Sequence, residues 1–263
     1  MKNVVIFSPS RFSLYTICVV ELLKQRDICV SAIVVKKLFS PKRFFSEFSR
    51  DGSRLLKKIW KKLILRQSGY TKRSYKTIIN LMQENNISVK RVDEFTTRYD
   101  IPIIYCNDLN EPAVAETLKK TKPDLVIFTG GGLIRKAVLD HSGEGILNCH
   151  MGILPKYRGM DVVEWPILED NPNQVGMTVH FMDEGVDTGD ILRIQEVPII
   201  PHETIQQLRE RFEPIMCRTM VDTCCDYLNH KLERRSQKLK EGKQYFIMHP
   251  ELVDVAKHKM KLL

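Results

Sequence analysis

Short apolar runs alternate with longer amphipathic stretches along this chain. Val4-Val5-Ile6-Phe7 stops at the turn-forming Ser8-Pro9-Ser10, which predicts a strand buried on both faces. Ser13 to Lys24 then predicts a helix and Val30 to Val35 a second strand. A strand-helix-strand opening points to an α/β sheet with right-handed crossovers. Further strands are expected at Ile103 to Tyr105, Leu125 to Phe128, Gly145 to His150 and Gly176 to Phe181. Helices are expected at Lys76 to Asn85, Glu111 to Lys120 and Glu203 to Leu228. Leu232 to Lys243 is highly charged, and Gln244 to Met248 reads as a tail strand. The chain shows no internal repeat and no low-complexity segment.

Between Lys36 and Arg73 the pattern changes. Lysines and arginines crowd this stretch, opposed only by Glu47 and Asp51. Leu56, Ile59, Trp60 and Leu63 recur at helical spacing, with Lys57, Lys58, Lys61 and Lys62 between them. The spacing predicts a basic amphipathic helix over Arg54 to Arg66, whose apolar stripe needs cover. Packing on its own domain is the favoured cover. A homodimer comes second and an anionic membrane surface third.

Composition narrows the class. Hydrophobic residues make up 43% of the 263 positions, enough for an ordinary soluble core. The formal charge of +9 favours an anionic partner without choosing between nucleotide, phosphate, folate carboxylate, nucleic acid and lipid. The seven cysteines form no CxxC pair, which fits reduced thiols in a cytoplasmic protein. Ser8-Pro9-Ser10-Arg11 interrupts the first apolar run before it could serve as a signal segment, and no apolar stretch is long enough to span a bilayer.

Three segments can carry chemistry. Asn148 and His150 sit two apart on an expected strand, so they share a face while Cys149 points the other way into packing. Such a polar pair at the carboxyl end of a parallel strand is where α/β sheets place their sites. The following loop carries Lys156, Tyr157 and Arg158, candidates for holding an anionic substrate. Met182 to Asp190 packs four carboxylates and two glycines into nine positions. It lacks the ligand rhythm of a calcium loop, so no metal is expected; a bend aiming one carboxylate at the histidine is the simpler reading. Thr129-Gly130-Gly131-Gly132 lets backbone approach a ligand, yet it matches neither nucleotide-loop pattern.

The order Asn148-x-His150, then Leu154-Pro155-Lys156-Tyr157-Arg158-Gly159, then Asp183-Glu184-Gly185-Val186-Asp187-Thr188-Gly189 resembles the folate-dependent formyltransferases. That family includes glycinamide ribonucleotide, methionyl-tRNA and amino-sugar N-formyltransferases. The resemblance is strongest from about Asp124 to Pro198. It implies a doubly wound, mostly parallel sheet, a Rossmann variant, with a short helical C-terminal extension. It implies N10-formyltetrahydrofolate as co-substrate. Asn148, His150 and Asp187 match the catalytic residues. Gly131, Gly132, Leu133, Ile134, Asp183, Glu184, Gly185 and Val186 match the segments that hold the pterin. The expected organisation is a catalytic domain over 1–198, with a basic insert at about 36–73, and a helix and charged tail over 199–263 packed on it.

Three departures from the family pattern stand out. Gly152 stands where the family often has Ser, and the loop after the first strand lacks the glycine-rich phosphate pattern expected for glycinamide ribonucleotide. The stretch after Pro198 reads as too short for the extra domain of methionyl-tRNA formyltransferases. The expected acceptor is therefore a small primary amine, on a nucleotide-linked amino sugar first. A charged tRNA, another small amine, water (a formylfolate hydrolase) and folate binding without turnover stand as alternatives.

Overall fold

The computed structural model describes residues 2–37 and 76–263. The amphipathic helix expected at 54–66 lies outside the described residues. Five parallel strands form the centre: β1 (Asn3–Ser8), β2 (Cys29–Lys36), β3 (Ile103–Cys106), β4 (Leu125–Phe128) and β5 (Ile146–His150). A seven-stranded sheet runs β3-β2-β1-β4-β5 and continues through β7 (Gly176–Phe181) and β8 (Ile191–Glu196), both antiparallel to their neighbours. The strand order reverses between β1 and β4, which opens a crevice at the carboxyl ends there.

The expected doubly wound α/β architecture is what the strands form, and β1 shows why. Val4 and Ile6 enter one core and Val5 and Phe7 the other, so both faces of the strand are covered. On β2 the register slips by one residue opposite Val4 and Val5. Ser31 occupies the extra position and its hydroxyl donates to Val4 O at 3.2 Å. Helix α1 (Leu14–Lys24), capped by Ser13 on Thr16 N–H, and helix α2 (Lys76–Glu84) cover the first face. Helix α3 (Glu94–Tyr99) precedes β3, and helices α4 (Pro112–Thr121) and α5 (Lys136–Leu139) supply the second face.

Strand β6 (Tyr157–Gly159), helix α6 (Glu164–Leu168), helix α7 (Ile205–Leu228), strand β9 (Lys243–Tyr245) and helix α8 (Pro250–Met260) complete the order. Helix α7 starts with a capping box, Thr204 against Gln207. It lies against α1, α2 and β5, with Leu208, Phe212, Cys217 and Met220 in the same core as Val4 and Ile6. Pro214 inside α7 has no N–H to offer the carbonyl four residues back. That carbonyl, Glu210 O, instead accepts from the Thr77 hydroxyl at 2.5 Å, tying α2 to α7.

Candidate active site

Strands β5 and β7 build the site between them. Leu147 and Cys149 turn into the core with Met177, Val179 and Phe181. The alternate positions put Asn148, His150, Thr178 and His180 on the opposite face, with Asn148 opposite His180 and His150 opposite Thr178. Cys149 is a packing residue, its thiol pushed up by burial to about 12. Thr178 fixes the loop after His150: its hydroxyl donates to Gly152 O at 2.7 Å and accepts Leu154 N–H at 3.1 Å.

The polar groups then chain together. His180 Nδ1 lies 2.7 Å from Phe181 O, which assigns the proton to Nδ1 and leaves Nε2 to accept from Asn148 Nδ2 at 3.2 Å. His150 Nε2 donates to Tyr157 O at 2.8 Å, and its Nδ1 faces Asp187 Oδ2 at 3.5 Å. Asp187 Oδ1 lies 3.5 Å from His180 Nε2, and Oδ2 accepts Gly159 N–H at 2.9 Å. Burial works to raise the Asp187 carboxyl, but His180 and His150, both protonated at the acid pH where Asp187 titrates, and the Gly159 N–H outweigh it and hold the group at about 2. His150 is pushed below its ordinary value by burial, against the pull of Asp187. Near neutrality the site therefore holds an uncharged imidazole beside an ionised carboxylate.

Asp187 adopts a left-handed backbone, φ 53°. Gln237, far along the chain, holds that bend by donating to Asp187 O at 3.0 Å and Gly189 O at 2.6 Å. Gly152 shows why a larger residue is absent here: an added Cβ would stand 2.6 Å from Tyr157 O and 2.8 Å from His150 Nε2. The space a Ser side chain would need is taken by the carbonyl that orients the imidazole.

A cavity of about 580 Å³ opens over this cluster. Asn148, His150, Asp187, Gly131, Gly132, Leu133, Asp183, Gly185 and Val186 all line it. Ile134 is instead buried in the second core, and Glu184 lies off the lining. Of the expected anion-holding residues, none turns its side chain to the cavity. Lys156 is exposed and donates to Gln174 at 2.9 Å. Tyr157 is buried against Tyr245 and serves the site only through its carbonyl. Arg158 is half-buried, and among the described residues its Nε has no hydrogen-bond partner. Neither His180 nor Gln237 is among the residues that the sequence motifs single out. For His180 a signal existed: on the alternating strand Gly176 to Phe181 it shares the polar face with Thr178. Gln237 sits in a charged stretch with no pattern to mark it.

Among the described residues no cluster of His, Cys, Asp and Glu could hold a metal, and no helix is long and apolar enough to cross a membrane. A methionyl-tRNA formyltransferase from Syntrophus aciditrophicus (strain SB) is 39% identical over 116 residues, 44% of this chain and 37% of that protein. The chain spans less than half the length of the curated relatives it matches. Among solved structures, glycinamide ribonucleotide transformylase 1 from Symbiobacterium toebii superposes over 90% of this chain and 93% of its own, with TM-score 0.58 and 17% identity. The N-formyltransferase from Helicobacter canadensis, solved with folinic acid and dTDP-3-aminofucose, covers 100% of this chain and 81% of its own, with TM-score 0.59 and 14% identity. These structures share the fold. The model of the formyl transferase family matches residues 70–223, more than half of the chain and every strand from β3 to β8, and the chain belongs to that family.

Proposed function

We propose that this chain transfers a formyl group from N10-formyltetrahydrofolate to a primary amine, carried by a nucleotide-linked amino sugar. The observation that carries this reading is the convergence of Asn148, His150 and Asp187 on one cavity. The cavity suits a folate. Its volume lies within the usual range for small-molecule sites, and its wall is bare at Gly131 and Gly132, where an added Cβ would meet nothing within 4 Å. The backbone of Gly131 to Leu133 and of Asp183 to Val186 would hold the pterin, and the bound folate supplies an activated formyl carbon. Cytoplasmic location and a small acceptor are part of the same proposal.

The roles follow from the hydrogen bonds. Asn148 Nδ2 carries two N–H groups and gives one to His180. The other can donate to the formyl oxygen as negative charge gathers on it. His150 is uncharged before reaction, so its Nδ1 can take the proton that the attacking amine must lose. That proton arrives beside Asp187 Oδ2, and the imidazolium forms against a carboxylate already ionised. A carboxyl held at about 2 is a weak base, so its service is electrostatic. As the tetrahedral adduct collapses, His150 would pass that proton to the departing N10 while the C–N10 bond breaks, giving the formamide and tetrahydrofolate and restoring the neutral imidazole, with Asp187 stabilising the imidazolium in between.

Whole-chain coverage by the Helicobacter canadensis enzyme supports the sugar acceptor. The 39% identity to a methionyl-tRNA formyltransferase supports charged tRNA as the second reading. Tetrahydrofolate release from the formyl donor should rise when nucleotide-linked amino sugars are added. Equal release with and without any amine would instead identify a hydrolase. Folate binding without turnover would identify a binding protein, and formylation of charged initiator tRNA with no sugar accepted would select the tRNA reading.

A further inference from the structure

The family match stops at residue 223, yet the chain returns to the cavity twenty residues later. Strand β9 pairs in parallel with β6, Lys243 beside Tyr157 and Tyr245 beside Gly159. This brings Gln244, Tyr245 and Phe246 onto the cavity wall next to Gly159, Met160 and Asp161. The segment is tightly held. Lys243 N–H donates to Lys156 O at 3.1 Å, and Met160 N–H donates to Tyr245 O at 3.0 Å. Trp165 Nε1 donates to Phe246 O at 3.2 Å, and Met248 N–H to Asp161 Oδ2 at 2.9 Å. Gly159 has φ 97° and touches the Tyr245 carbonyl so closely that no side chain fits between them.

The side chains divide by alternation. Tyr245 is buried, its ring 5.3 Å from Tyr157 and 5.0 Å from Trp165, and its hydroxyl donates to Glu169. Gln244 and Phe246, on either side of it in sequence, are exposed; Phe246 is 70% exposed although its backbone is pinned. Among the described residues the Gln244 amide makes no hydrogen bond. A fixed backbone thus presents an open aromatic ring and a free amide to the mouth of a reaction cavity.

We propose that Phe246 and Gln244 form the acceptor-binding wall of this cavity, the ring covering the apolar face of a sugar and the amide pairing with its hydroxyls. This rests on the formyl-transfer reading above. The resemblance places the co-substrate on segments 131–134 and 183–186, which lie inside the family stretch. Acceptors differ between members, so the wall that meets them belongs on residues outside that stretch. Phe and Gln suit a sugar ring: C–H groups lie on an aromatic face, and an amide both donates and accepts toward hydroxyls. Neither residue suits a phosphate, which would call for cations. Because the backbone is already held, binding orders only two side chains.

The test is calorimetric titration of the wild type, Phe246→Ala, Gln244→Ala and Phe246→Trp. Each is titrated with folinic acid, and with dTDP- and UDP-linked amino sugars in the presence and absence of folinic acid. Phe246→Ala should weaken sugar binding about tenfold or more, Gln244→Ala about threefold to tenfold, and Phe246→Trp little. Folinic acid affinity should stay within about twofold of wild type throughout. Loss of folinic acid affinity with sugar affinity intact would place the folate on this wall and overturn the proposal. So would unchanged sugar affinity in both alanine variants, or a wild type that binds folinic acid and no amino sugar. A wild type that ignores folinic acid but whose sugar binding depends on Phe246 would break the formyl-transfer reading and keep the wall.

Discussion

Two strand pairs border the same cavity, and they are made differently. The β5–β7 pair lies inside the seven-stranded sheet, with strands on both sides and a helix against its apolar face. It carries Asn148, His150 and His180. The β6–β9 pair has three residues in each strand and, among the described residues, forms a two-stranded sheet of its own. A small cluster of Tyr157, Val162, Tyr245 and Trp165 holds it in place. The first pair can fix polar atoms to within tenths of an ångström because packed neighbours oppose any displacement. The second is a satellite outside that sheet, touching the site through the Tyr157 carbonyl on His150 and the Gly159 N–H on Asp187. On the assignments proposed above, Asn148 and His150 react from the first pair, and the second carries the acceptor wall.

The largest effects should fall on the first region. Phe212 on α7 is fully buried in the core that backs β5 and β7. Phe212→Ala should cost about 3–5 kcal/mol in urea unfolding. A loss under about 1 kcal/mol would mean that α7 packs loosely and that the contrast between the regions is overstated. Next comes turnover. His150→Ala should lower kcat about a hundredfold or more and leave folate affinity near wild type, since its value is realised in the transition state. Asn148→Ala should do the same through loss of an oxyanion donor. Near-wild-type kcat in the His150 variant would remove that residue from the chemistry.

Acid should expose the same region next. The Asp187 carboxyl is held at about 2 in the folded chain against an ordinary value near 3.8. A depressed value means stability that is complete above the unfolded value and lost as pH falls through the folded one. About 2 kcal/mol should disappear between roughly pH 4 and pH 2. His150, lowered by burial, adds a loss of the same sign that begins as pH falls below its ordinary 6.5. Asp187→Asn should flatten the pH 4 to pH 2 part of the urea-midpoint profile. An unchanged slope would show that other carboxylates set it.

The sequence reading succeeded where burial imposes a period. Strands β1, β2, β4, β5 and β7 are short apolar runs or alternations, and all were legible. So was the shared face of Asn148 and His150, from strand parity, and a glycine-bounded bend that aims one carboxylate at the histidine; that this carboxylate is Asp187 is what the family resemblance implies. It failed where contact rather than period makes the element. Strand β8 is an edge, with only Ile191 and Leu192 buried before Arg193 to Glu196 turn outward. Helix α8 buries only Ala256 and Met260, too few to stand out among its charges. Strand β6 looked like a loop because its partner lies more than eighty residues away. Lys156 and Arg158 were read as anion holders from charge alone, and neither side chain lines the cavity.

The smallest expected effect probes the satellite itself. The Tyr245 hydroxyl donates to both oxygens of Glu169 at 2.9 Å, and burial together with Glu169 raises its ionisation so that it stays a donor. Tyr245→Phe keeps the ring between Tyr157 and Trp165 and removes only those bonds. Glu169 is not left alone, since Tyr157 OH lies at 3.3 Å and Lys243 Nζ at 3.6 Å. The cost to global stability should therefore be about 1 kcal/mol, the scale of one hydrogen bond whose partner keeps other donors. If the β6–β9 pair is a satellite, loosening it should raise KM for the amine acceptor a few-fold while kcat and KM for the formyl donor hold. Hydrogen exchange should quicken at Met160 and Lys243, whose N–H groups pair across the two strands, and not at β5. A fall in kcat equal to that of His150→Ala, or a destabilisation equal to that of Phe212→Ala, would show that the two strand pairs form one unit and would end the distinction drawn between them.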